Sequence, residues 1–122
     1  MMEFFYHDGI EKEIAAYERR FRGIRMGFSH FERLCNVQFD PQFPKQVITS
    51  GKLHRIRQEE VWAMWKIELA VPDCGLRPNQ YPRVWFAVKG ENIAFLCMSS
   101  HIDNYDNTEM ETLAFSRITD IF

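Results

Sequence analysis

The sequence predicts an α+β domain: a strand, an N-terminal helical hairpin, a mostly antiparallel sheet of three to four strands, and a C-terminal helix. Three observations carry this. Apolar residues recur at helical spacing between Ile10 and Cys35. From Val61 the period changes to two, in apolar runs separated by turns. From Met110 the helical spacing returns.

Glu3 to His7 is short and aromatic, which suits a strand. Asp8 with Glu11 three residues on reads as a helix N-cap with a capping box. Ile10, Ile14, Tyr17, Phe21 and Ile24 then mark one helix face. Gly23 and Gly27 weaken the helix there, and the stripe resumes with Phe28, Phe31, Leu34 and Cys35. The reading is two helices over roughly 9–22 and 27–37, with one continuous helix as the rival. Asp40-Pro41 and Phe43-Pro44 end the helical region, because proline disfavours helix in the residue before it.

Ser50-Gly51 is a turn. Val61, Ala63, Trp65, Ile67, Leu69 and Val71 form a strand whose other face carries Lys66 and Glu68. A loop from Pro72 to Pro78 leads to a strand over Tyr81 to Val88. Val84, Phe86 and Val88 share one face of it, with Arg83, Trp85 and Lys89 on the other. Lys89-Gly90-Glu91-Asn92 is a hairpin loop. Ile93 to Met98 is apolar on both faces and reads as a central strand. Ser99 to Asn107 is polar and turn-rich. Thr108 with Glu111 reads as a second capping box, and Met110, Leu113, Ala114, Ile118 and Ile121 as the stripe of the last helix.

The totals bound the function classes. With 122 residues the chain fits one domain, 1–122, large enough for a core without disulfides or a metal. Aromatics are frequent, with Phe 11, Tyr 4 and Trp 3, so much of that core is aromatic packing. The net charge of -2 gives no global nucleic-acid footprint. Local clusters differ: Arg19, Arg20, Arg22 and Arg25 stand together, as do Lys45, Lys52, Arg55 and Arg57, while the chain from Asp103 onward is acidic. The three cysteines are odd in number and lack a CxxC pair, which disfavours a disulfide framework or a zinc ribbon. No signal peptide or membrane-spanning run is visible, so no membrane partner is expected and the cytoplasm is the expected compartment.

The best candidate site is the polar turn around His101, after the last strand. Histidine suits proton transfer because its ordinary pKa, about 6.5, lies near working pH. Its plain alternative is a hydrogen-bonding turn residue. Arg83 can equally pair with Glu68 across the sheet, and Tyr105 can pack under the last helix. His7, His30 and His54 lack partners at ligand spacing and read as structural or surface residues. Cys97 lies four residues before His101, yet within an apolar strand, where a thiol is usually inert.

Three patches resemble the RelE/ParE-like toxins of bacterial type II toxin–antitoxin pairs. The opening FFYHDGIEKEI, residues 4–14, resembles that family's strand-to-helix entry. WKIEL, residues 65–69, and YPRVWFAV, residues 81–88, resemble its middle strands, with Arg83 where an arginine commonly stands. FLCMSSHIDNYD, residues 95–106, is most similar to the final strand and turn of HigB-type members, where a histidine, a tyrosine and an aspartate occur close together. The resemblance implies an endoribonuclease that cuts mRNA, on the ribosome in many members, without metal or cofactor. It implies a cognate antitoxin protein and allows a homodimer. It casts Arg83, His101 and Tyr105 as catalytic: Arg83 on the scissile phosphate, His101 as acid or base, Tyr105 stacking on a base or assisting proton transfer. Lys66, Arg55 and Lys52 become RNA-binding candidates. Glu68 stands where some members carry a second basic residue. ParE-like relatives imply the alternative of gyrase inhibition without cleavage, and a third reading is an inactive toxin-like interaction module.

Overall fold

A computed structural model describes residues 1–122. Strand β1, Glu3–Tyr6, leads into α1, Asp8–Glu18, and α2, Ile24–Gln38. Four strands follow: β2, Leu53–Gln58; β3, Ala63–Glu68; β4, Arg83–Lys89; and β5, Asn92–Ser99. A 3₁₀ turn over His101–Asp103 precedes α3, Asn107–Ile118. The sheet order is β1-β5-β4-β3-β2, antiparallel except for the β1–β5 pair. The predicted α+β class and order therefore hold, with one strand more than the sequence revealed.

That extra strand is β2. Of its residues only Leu53 is buried, and the strand pairs on one side alone. A bulge between Arg55 and Arg57 also breaks the alternation that would mark it. Charged, bulged edge strands avoid unwanted pairing, and the same features hide them from pattern reading.

The helix boundaries move by a few residues for identifiable reasons. The cap of α1 is His7, not Asp8: its Nδ1 accepts from the Gly9 N–H at 2.9 Å, and its Nε2 stands 2.6 Å from Asp120 Oδ2. Asp8 and Glu11 instead occupy the first turn, where their charge suits the helix dipole. Gly23, at φ 84°, ends the break between helices, and α2 starts directly after it. Gly27 therefore lies inside α2, where a Cβ would come within 3.1 Å of Val71 Cγ2 and 3.3 Å of the Ala70 carbonyl. It lets α2 pack closely on the Leu69–Val71 segment that follows β3, and it does not break the helix. Arg25 bonds Glu18 and Glu11 and so staples the hairpin. The cap of α3 is Asp106, which accepts from the Glu109 N–H at 2.9 Å, rather than Thr108.

The sheet separates two apolar cores. The α1–α2 hairpin covers Val84, Phe86, Ile93, Phe95 and Met98; α3 covers Met64, Trp85, Ala87, Ala94, Leu96 and Cys97. A bulge explains the split along β5. Trp85 pairs with Cys97 but Phe86 with Phe95, so Leu96 is the extra residue. It resets the alternation, putting both Leu96 and Cys97 on the α3 side. Beyond Tyr6, β1 no longer flanks β5, and the freed backbone groups need partners. Glu13 accepts from the Met98 N–H at 3.0 Å, and Arg117 donates to the Leu96 carbonyl at 2.8 Å. Arg117 and Glu13 also pair with each other at 2.8 Å, which ties α1, β5 and α3 together. Gly9 makes room for this, since a Cβ there would fall 2.3 Å from Arg117 Cζ.

Candidate functional site

Strand register builds the site. On the α3 face, His54 stands opposite Lys66, and Lys66 opposite Trp85. The next row on that face places Glu68 opposite Arg83, and Arg83 opposite Ser99. Lys52 joins this row, its carbonyl accepting from the Glu68 N–H at 3.1 Å. Helix α3 covers the apolar end of the face and leaves these polar rows open. The result is a cleft of about 250 Å³ lined by Lys52, His54, Lys66, Glu68, Arg83, His101, Tyr105 and Asn107, with Gly51 at its rim. A second hollow of about 420 Å³, lined by Asn79, Gln80 and Ile102, also touches Arg83 and His101. Those two side chains thus form the divide between two open depressions.

Arg83 is largely buried, with its side chain 13% exposed. Its Nη1 donates to the Tyr81 carbonyl. Its Nη2 lies 4.0 Å from Glu68 Oε2, beyond hydrogen-bonding distance. The cross-strand pair anticipated from the sequence is therefore loose, and most of the guanidinium's five N–H donors are uncommitted within the protein.

His101 is exposed and rests on Tyr105, with ring centroids 4.8 Å apart and planes at 21°. Tyr105 in turn meets Trp85 edge to face at 5.4 Å. The Tyr105 hydroxyl is buried without a partner. One ring face supports His101 and the hydroxyl sits away from solvent, so this geometry makes Tyr105 a platform for the histidine. It does not present a free stacking surface or a proton donor to the cleft. Lys66 Nζ lies 5.2 and 5.3 Å from the Trp85 and Tyr105 rings and donates to Asn107 Oδ1 at 2.7 Å. Its charge is thereby held at the cleft wall.

Of the six residues singled out from the sequence, Arg83, His101, Tyr105, Lys66 and Lys52 line the one cleft. Arg55 does not. It stands opposite Trp65 on the hairpin side of the sheet, its guanidinium 6.0 Å from that ring. The period-two alternation along β2 places neighbours on opposite faces, so His54 enters the cleft and Arg55 leaves it. His54 is the residue that sequence reading passed over. Its only signal, alternation within β2, was masked by the bulge.

Other candidates resolve structurally. Burial pushes the Cys97 thiol above its ordinary pKa, and its Sγ approaches the Met110 carbonyl at 3.5 Å. That is the environment of an inert thiol, not a nucleophile. Trp85 forms the floor beneath Tyr105, Trp65 packs on Phe39, and Trp62 packs on Phe115, so none offers an open face in the cleft. No group of three His, Cys, Asp or Glu side chains is arranged to hold a metal ion. No helix is long and apolar enough to cross a membrane. Comparison with protein-family models, with curated proteins and with solved structures finds no match to this chain.

Proposed function

We propose that this chain is an endoribonuclease of the toxin type, cutting mRNA through attack by the ribose 2′-hydroxyl. The observation that carries the reading is the meeting of Arg83, His101, Lys66 and Lys52 in one open cleft, from four separate parts of the chain. Three cations suit a phosphodiester, and a planar guanidinium can hold two of its oxygens at once. His101 and His54 line the same cleft and supply two imidazoles, the side chain most often used for general acid–base catalysis.

One histidine takes the 2′-hydroxyl proton as the oxygen bonds to phosphorus. The other gives a proton to the departing 5′-oxygen. Arg83 and Lys66 stabilise the negative charge that gathers on the phosphoryl oxygens. The products are a 2′,3′-cyclic phosphate and a 5′-hydroxyl. Glu68, 4.0 Å from Arg83 Nη2, partly neutralises the guanidinium but does not hydrogen-bond to it, so N–H donors of Arg83 remain for phosphate oxygens. A cognate antitoxin protein that covers the cleft belongs to the same reading.

Expression in a bacterial host tests it. Growth arrest accompanied by loss of full-length mRNA is expected, with Arg83→Ala and His101→Ala abolishing both at equal protein levels. Arrest with intact mRNA and DNA breaks would indicate a gyrase inhibitor instead. No arrest at any expression level would leave an interaction module.

A further inference from the structure

The turn that carries His101 is fastened at both ends. At its start, the fully buried Ser100 donates from Oγ to the Gln80 carbonyl at 2.6 Å and accepts from the Ile102 N–H at 3.3 Å. At its end, Asp103 leaves the cleft and reaches the first helix. Asp103 Oδ2 accepts from the Tyr17 hydroxyl at 2.5 Å, and Arg20 Nη1 lies 3.1 and 3.0 Å from the two carboxylate oxygens.

Tyr17 is a core residue of α1, and the Arg20 guanidinium lies over the Tyr17 and Phe21 rings at 5.5 and 5.2 Å. Burial, followed by the bond to Asp103, pushes the Tyr17 hydroxyl up to about 12. The Tyr17 bond and then Arg20 hold the Asp103 carboxyl below its usual range. The hydroxyl thus donates to a carboxylate across the neutral range. Asn104, at φ 50°, reverses the chain directly after, and its N–H closes on the His101 carbonyl.

The geometry points to Asp103 as a positioning residue that, through Tyr17 of α1 and Arg20 in the turn after it, holds the His101 ring on Tyr105 and in the cleft. This rests on reading His101 as a proton-transfer group in RNA cleavage. The relation is indirect, because Asp103 is absent from the cleft lining. A reacting group displaced by about 1 Å can lose 10²-fold in rate. Loss of the clamp is therefore expected to lower kcat by about 10- to 100-fold while KM for RNA changes by less than about threefold.

The experiment compares the full-length chain with Asp103→Ala and with Tyr17→Phe, which removes only the hydroxyl bond and guards against misfolding of the first variant. Imidazole NMR follows the ring-current shift that Tyr105 imposes on His101, a signal independent of activity. RNA cleavage gives kcat and KM. The expected result is loss of the ring-current shift, a fall in kcat without a matching rise in KM, and no further loss when Asp103→Ala is added to His101→Ala. An unchanged His101 resonance in both folded variants would overturn the clamp. So would additive losses in the double variant. If the shift disappears but the wild-type chain cuts no RNA, the clamp stands and the nuclease reading falls.

Discussion

His101→Ala is expected to slow RNA cleavage by roughly 10²–10⁴-fold, the usual contribution of a positioned acid or base. The fold should survive. His101 is exposed, its side chain makes no hydrogen bond within the protein, and its one specific contact is the stack on Tyr105. Such a stack contributes about 0.5–1.5 kcal/mol at most. Circular dichroism and the thermal midpoint should therefore stay close to wild type while the rate collapses. A folded variant with undiminished cleavage would remove His101 from the chemistry. His54→Ala is the natural companion, since the two histidines share the cleft and the proposed mechanism divides the proton transfers between them.

Trp85→Ala should have the largest effect on stability, a loss of about 3–5 kcal/mol. Trp85 is fully buried beneath Tyr105, within the core that α3 forms with the sheet. Removing the indole leaves a cavity under the platform and withdraws the aromatic surface beside Lys66. Trp85→Phe should behave differently. It keeps most of the packing and removes the indole Nε1, which is buried without a hydrogen-bond partner. Leaving such a donor unsatisfied costs about 1–3 kcal/mol, which offsets part of the lost volume. Denaturant titration should thus show a loss below about 1.5 kcal/mol for Phe, in the range of well-tolerated core exchanges. Equal losses for Phe and Ala would contradict this account of the floor.

Elements with strong periodicity were legible in the sequence, and elements with broken periodicity were not. The stripes from Ile10 to Cys35 and from Met110 to Ile118 marked all three helices. The two-sided apolar run Ile93–Met98 marked the central strand, and it lies between β1 and β4 as such a run requires. β2 stayed hidden because an exposed, bulged edge has little apolar pattern to show. The caps fell one or two residues early because His7 and Asp106, not Asp8 and Thr108, turn their side chains onto the helix N–H groups.

The cleft was partly legible for a related reason. Arg83, His101, Tyr105, Lys66 and Lys52 could be named one by one, but their meeting depends on cross-strand register, which no local pattern encodes. His54 and Arg55 show the limit sharply. They are adjacent in sequence and separated by the whole thickness of the sheet, so assigning either requires knowing that β2 exists and how it pairs. The Leu96 bulge is equally silent in the sequence, yet it decides which side chains of β5 meet α3.

The central claim is that this cleft cleaves RNA by attack of the 2′-hydroxyl. The most direct measurement offers the purified chain an end-labelled mRNA, free and in the ribosomal decoding site, with excess chelator present. The same RNA bearing a single 2′-O-methyl group at the cut position serves as the control. The account predicts fragments ending in 2′,3′-cyclic phosphate and 5′-hydroxyl, and no cut at the methylated position. Intact RNA in both settings would contradict it, as would equal cutting of the methylated strand or fragments carrying 5′-phosphate.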